Sequence, residues 1–316
     1  MQVSFVLFFT LFLYFGTKLG QFHKTARIDI PPSSPNFDIY GDLEEDYFDV
    51  TTSMAMRNCI EKDMKIDIAF VLDCTGSMNA HLSSASKSIV TLMNKLKEKL
   101  ESESRLALIK YSDGQLHDPN RFQILPFTEN STAVTNYLRT SCRRSPGNSD
   151  LPEDAFGALS EAVNLNWTSP NRMIFHIADA PGHGNRFNPS DPAFPNGKPG
   201  DPKPEELVAQ MKAKSIHYVL GEINKQQTKK MLDFFKEHAK SLGNDEMIDS
   251  VDIKDSSKVL NATLKATSDL INNNCRKKTT MASTTTTTIS DSIGTTTTTS
   301  TKKSRLILNF NNIEIR

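Results

Sequence analysis

One stretch of this chain carries the residue types and spacing for chemistry. Ile66-Asp67-Ile68-Ala69-Phe70-Val71-Leu72-Asp73-Cys74-Thr75-Gly76-Ser77-Met78 is an apolar run that ends in a carboxylate, with hydroxyls following at two-residue spacing. Such runs read as strands of a parallel sheet buried on both faces. Ligands of open α/β sheets bind beyond the carboxyl ends of those strands. Asp73, Thr75 and Ser77 then share one loop at that edge. Their oxygens are hard donors, which suit Mg2+, Mn2+ or Ca2+ and not zinc. The loop holds no strong base.

Two further segments have the same character. Gly147-Asn148-Ser149-Asp150-Leu151-Pro152-Glu153-Asp154 is a polar loop leading into a helical pattern, and Met173-Ile174-Phe175-His176-Ile177-Ala178-Asp179-Ala180-Pro181-Gly182-His183-Gly184 is a second apolar run ending in an acid. Together the three resemble the metal-ion-dependent adhesion site of the von Willebrand factor type A domain family, over roughly residues 64–255. The wording Asp-Cys-Thr-Gly-Ser-Met, Pro-Glu-Asp and His-Ile-Ala-Asp-Ala-Pro is most similar to the members linked to alpha-type protein kinases. The resemblance implies an α/β, Rossmann-like fold: a mostly parallel central sheet with one antiparallel edge strand and helices on both faces. It implies a metal held by Asp73, Thr75 and Ser77, by Ser149 or Asp150 from the second loop, and by Asp179. Asp73 and Asp179 would just neutralise a divalent ion and leave it electrophilic toward an outside carboxylate. Direct ligation by Asp150 as well would make the site net negative. In the kinase-linked members a cysteine often follows Ala-Pro in the third loop; here that place is Gly182.

The implied function is binding: a secreted, non-enzymatic protein that engages an extracellular protein or matrix ligand, through an acidic side chain, at a divalent cation. No kinase activity is expected, because no kinase domain accompanies the segment. A metal-dependent hydrolase of phosphatase type is the enzyme alternative. Such enzymes need a second Asp two residues after the first, where this chain has Thr75. No Gly-x-Ser-x-Gly, His-Glu-x-x-His or Walker loop is present either. A third reading is a structural matrix or coat component with no cation-dependent partner. His176, Asp179 and His183 are a weak zinc set, since His176 lies inside a strand and alternation turns it away from the Asp179 loop.

The elements that must position these residues follow from periodicity. Strands are predicted over 66–72, 106–111, 122–127, 172–178, 216–220 and 247–253. Helices are predicted over 80–100, 133–139, 152–165, 205–213, 228–242 and 256–272, several with apolar residues at helical spacing. The link before Phe122 is short and polar, with Asp113-Gly114 as a turn signal, so the third strand should run antiparallel to the second. Alternating strands and helices imply a mostly parallel sheet covered on both faces. The Pro/Gly-rich segment Pro181–Pro204 is long for a loop in a compact domain and is expected to set partner selectivity.

At the level of the whole chain, 37 basic and 37 acidic residues cancel, which removes the electrostatic case for nucleic acid. Phe5–Phe15 is an apolar run too short to span a bilayer and reads as a secretory signal, with an uncleaved anchor as the alternative. The expected organisation is a signal peptide over 1–20, an acidic Pro/Ser-containing linker over 21–58, the A domain over 59–275, and a Thr-rich, mucin-like tail over 276–316. No membrane span is expected in the mature chain. Four cysteines in a secreted chain suggest disulfides. Cys59 and Cys275 bracket the α/β unit, whose termini should lie close together, so they are expected to pair. Cys74 and Cys142 could also pair. Asn130-Ser131-Thr132, Asn166-Trp167-Thr168 and Asn261-Ala262-Thr263 are glycan acceptor sequons.

Overall fold

The computed structural model describes residues 59, 65–100, 104–113, 121–140, 151–189, 191 and 193–291. The expected signal peptide and linker, the second-loop residues Ser149 and Asp150, Cys142 and the end of the tail lie outside them.

Six strands form one sheet: β1 (Ile66–Asp73), β2 (Arg105–Tyr111), β3 (Phe122–Thr128), β4 (Asn171–Ala178), β5 (His217–Glu222) and β6 (Ile248–Asp252), in the order β3-β2-β1-β4-β5-β6. β3 runs antiparallel to β2 and every other pairing is parallel. The helices are α1 (Asn79–Leu100), α2 (Ser131–Arg139), α3 (Ala155–Val163), α4 (Pro204–Ala213), α5 (Lys225–Ser241) and α6 (Val259–Asp291).

Every residue of β1 is buried, as a continuous apolar run in a central parallel strand requires. Period-two alternation splits its side chains between two layers. Ile68, Phe70 and Leu72 face Ile89, Leu92 and Met93 of α1 and Leu264 of α6. Ala69 and Val71 face the layer containing Ala158 and Leu159 of α3, Leu207 of α4 and Phe235 of α5. The chain leaves β1 toward β2 on one side, and the sheet continues from β4 on the other. β1 and β4 therefore flank the point where strand order reverses, and the crevice beyond their carboxyl ends is where such folds bind ligands. Asp73 closes β1 and Asp179 follows β4 by one residue.

The opposite edge is fastened differently. Cys59 and Cys275 form a disulfide with Cα atoms 5.6 Å apart. Asn171, at the start of β4, donates to the Lys65 carbonyl (3.0 Å) and accepts from Asn274 of α6 (2.8 Å). Asp67 accepts from Arg105 Nε and Nη2 (2.9 and 2.7 Å), from the backbone of Thr168 and Ser169, and from Ser169 Oγ. A buried carboxylate is tolerated there because its oxygens are satisfied and paired.

Two helices depart from the sequence reading. α3 starts at Ala155, three residues later than expected, so Glu153 lies before the helix and Asp154 at its N-cap. Asp154 caps α3 only through its backbone; its side chain is engaged elsewhere. α6 does not close at Asn272 but runs on to Asp291 through the first threonine run. No Gly or Pro occurs between Val259 and Asp291 to stop it, and threonine is only mildly unfavourable in a helix. Among the described residues, no helix is long and apolar enough to cross a membrane.

Candidate metal centre

The first loop is pinned where β1 ends: Cys74 N donates to the Tyr111 carbonyl at 2.7 Å. Beyond it, Thr75 turns the chain into a short 3-10 segment, Gly76–Met78. Asp73 Oδ1 accepts both the Thr75 N–H (2.9 Å) and the Thr75 hydroxyl (2.7 Å), and Thr75 Oγ1 lies 3.2 Å from Ser77 Oγ. The Asp-x-Thr-x-Ser spacing thus gathers one carboxylate and two hydroxyls. One oxygen of Asp73 is consumed in the process; the other, Oδ2, is buried and has no partner.

It is not the only such oxygen. Asp179 Oδ1 and Glu153 Oε2 are likewise buried without a partner. Glu153 was not among the expected ligands. It is brought to the site because its N–H donates to the Pro181 carbonyl (3.0 Å) and it forms an isolated parallel bridge with Gly182. That bridge requires a glycine: a Cβ at Gly182 would lie 2.6 Å from the Phe156 ring. The departure from cysteine at this position thus has a packing reason.

The electrostatics agree with the orphaned oxygens. Burial pushes the Asp73 carboxyl up to about 7, with hydrogen bonds from Thr75 opposing the rise and the neighbouring Asp179 reinforcing it. Burial pushes Glu153 up to about 9, reinforced by the charges of Asp73, Asp113, Asp179 and Asp154. Unpaired carboxylates crowded in this way are costly to ionise together. A divalent cation among them would satisfy the free oxygens and remove the repulsion. The donors are all oxygen, with neutral hydroxyls alongside, which suits a hard ion. Asp73, Thr75, Ser77, Asp179 and Glu153 fit such an ion.

The segment 181–204 is a folded unit rather than a free tip. Asp191 is its buried hub: Oδ1 accepts from Phe194 N (2.9 Å), and Oδ2 accepts from Gly184 N (2.7 Å) and faces His183 Nδ1 at 3.1 Å. Phe187 packs edge-on against Phe156. Lys198 is buried and pairs with Asp113 (3.3 Å) and Asp154. Arg121 reaches Asp201 at 2.5 Å and Asp154 at 3.7 Å. Asn185, Arg186, Pro189, Pro195, Asn196, Pro199 and Gly200 remain exposed. His183 faces Asp113 and Asp191, not Asp179. His176 sits in the core between Tyr111 (2.7 Å) and Tyr218 (2.8 Å), where burial lowers its pKa to about 3. The three zinc-reading residues therefore do not converge. Asp113 follows the end of β2 by two residues, as Asp73 ends β1, but in the sequence it served only as a turn signal.

A family model for the von Willebrand factor A domain matches residues 67–189. Residues 67–189 are a von Willebrand factor A domain. The chain is similar to the alpha-protein kinase vwkA of Dictyostelium discoideum, 30% identical over 245 residues that cover 70% of this chain and 39% of that protein. This chain thus spans well under half the length of that relative. Among solved structures, similarity extends to the pilus adhesin SpaC of Lactobacillus rhamnosus GG (TM-score 0.43, 12% identity, 66% of this chain and 30% of that one). It extends also to proximal thread matrix protein 1 of the mussel byssus (TM-score 0.41, 12% identity, 67% and 46%), a protein also solved with a zinc-occupied MIDAS motif. In this A domain Cys74 is disulfide-bonded as well. The sequon asparagines Asn130, Asn166 and Asn261 are all exposed, and Asn130 caps α2 by accepting from Thr132 N (2.9 Å) and Ala133 N (3.1 Å).

Proposed function

We propose that this A domain is a non-enzymatic binding module that engages an extracellular protein or matrix ligand through a divalent cation. The observation that carries the reading is the convergence of buried, partnerless oxygens on Asp73, Asp179 and Glu153 beside the Thr75 and Ser77 hydroxyls. Mg2+ or Mn2+ suits the site best, because these ions keep exchangeable waters that a ligand can displace. Asp73 and Asp179 neutralise the ion; Thr75 and Ser77 add donors without charge. An acidic side chain from the partner is then the fitting incoming group, and Coulomb attraction to the ion supplies strength. Glu153 is a third carboxylate at the same centre and limits how much further negative charge it accepts. The exposed residues of 181–204, beside the buried contacts of Asp191 and Lys198, supply selectivity. Secretion accords with the apolar N-terminal run and the disulfides.

Two measurements test this. Calorimetry should show Mn2+ or Mg2+ binding to the folded chain and its loss in Asp73→Ala. A pull-down from extracellular extract should recover a partner with Mg2+ and lose it with EDTA. Equal ion affinity in wild type and Asp73→Ala would rule out the centre; equal capture in both buffers would move the function to a cation-independent scaffold.

A further inference from the structure

A second group of side chains, beginning one residue from Glu153, offers ligand atoms of the kind a divalent ion takes. His183, Asp113 and Asp154 each offer a ligand atom, and these atoms lie within 4.8 Å of one another. His183 Nε2 is 3.2 Å from Asp113 Oδ1, a hydrogen-bonding distance that holds the two ligand atoms side by side. On the far side of the ring, His183 Nδ1 faces Asp191 Oδ2 at 3.1 Å. A carboxylate behind the imidazole is the outer-shell arrangement that orients metal-binding histidines. All of these side chains are buried or nearly so, the most exposed being Asp113 at 8%.

The Lys198 ammonium, its side chain 0% exposed, bridges two members of the group, 3.3 Å from Asp113 Oδ1 and in direct contact with Asp154 Oδ1. We propose that Lys198 is a tethered cation seated in a second, pre-built divalent-ion position formed by Asp113, Asp154 and His183. A buried ammonium is stable only where charge and hydrogen bonds repay its desolvation, and these carboxylates do so. The tether makes the interaction intramolecular, so it survives dilution and chelation as a bound ion does not. In consequence the 181–204 segment is locked beside the metal loop by the chain itself. The domain presents a partner surface whose anchoring is indifferent to a second ion.

The test uses the full chain in an Asp73→Ala background, which removes the ion of the proposed binding centre. Co2+ is titrated by calorimetry and visible absorption. Asp73→Ala is expected to show no histidine-ligated cobalt. Asp73→Ala/Lys198→Ala should take up one Co2+ per chain, at least tenfold more tightly, with ligand-field bands that vanish on adding His183→Ala. If the Asp73 centre is itself wrong, this gain is still read, because that centre is absent from each variant compared. A double variant that folds and gains no ion overturns the proposal. If it does not fold, amine acylation of the wild type decides: Lys198 should stay unmodified with and without EDTA, and ready labelling in the native chain overturns the proposal.

Discussion

Removing the Cys59–Cys275 bridge should cost a large share of the domain's stability while leaving the proposed ion centre untouched. The bridge joins residues 216 positions apart. The chain-entropy relation gives about 5 kcal/mol for a loop of that length, referred to the unfolded state. The further disulfide at Cys74 shortens the effective loop, but the dependence is logarithmic, and even a halving removes only about 0.6 kcal/mol. On the native side little need move. Val259, Leu264 and Ile271 keep α6 on the sheet, and Asn274 still reaches Asn171. The cost therefore falls on the unfolded chain, against a total of about 5–15 kcal/mol for a typical domain. The comparison is urea unfolding of wild type and Cys59→Ser/Cys275→Ser without reductant. We expect a loss of about 3–5 kcal/mol, allowing for the usual shortfall from theory, and a steeper denaturant slope, because the opened chain exposes more surface. Mn2+ affinity should be unchanged, since the bridge lies at the edge opposite Asp73. A loss under about 1 kcal/mol with an unchanged slope would refute the entropic account.

The remaining predictions concern single side chains. Glu153→Gln should weaken Mn2+ binding at least tenfold, about 1.4 kcal/mol, with an unaltered near-ultraviolet spectrum; wild-type affinity would remove Glu153 from the centre. Gly182→Ala should destabilise by about 1–3 kcal/mol through overpacking on Phe156, read as a lowered melting temperature, and a neutral result would show that the ring gives way freely. Asp67→Asn should cost roughly 3 kcal/mol at pH 7, as expected when a buried ion pair loses one partner. Burial raises the Asp67 carboxyl, but hydrogen bonds from Arg105, Ser169 and Thr168 outweigh that and hold it below its ordinary value. Its contribution is thus complete above about pH 4 and is lost as pH falls through the depressed native value. The gap between wild type and variant should close in acid; a gap constant from pH 7 to pH 2 would contradict the assignment.

Much of the fold was legible because its signals are local. The run Ile66–Leu72 is apolar without alternation, as a strand covered on both faces must be, and it is β1. The short polar link before Phe122 marked β3 as antiparallel, and it is. Asp73, Thr75 and Ser77 were legible as a set because one loop carries all three, so sequence spacing is also spatial spacing. Cys59 and Cys275 were legible for a different reason: closure of an α/β sheet brings the ends of the unit together.

What stayed hidden depends on contacts between distant segments. Glu153 fell inside the helix predicted over 152–165, and only the Glu153–Gly182 bridge brings it beside the Asp179 loop. Asp191 lies in the Pro/Gly-rich segment expected to set partner selectivity, yet it is a buried hub whose donors come from Gly184 and Phe194. Lys198 carried no signal at all, since a lysine in a Pro/Gly-rich stretch is ordinarily exposed; its burial exists only because Asp113 and Asp154, from two other parts of the chain, meet it. Sequence alone therefore determined the strands, their direction, and the loop whose ligands are neighbours along the chain. Tertiary structure decided which further charges join that loop, because the free energy of a buried charge is set by partners that periodicity and spacing cannot place.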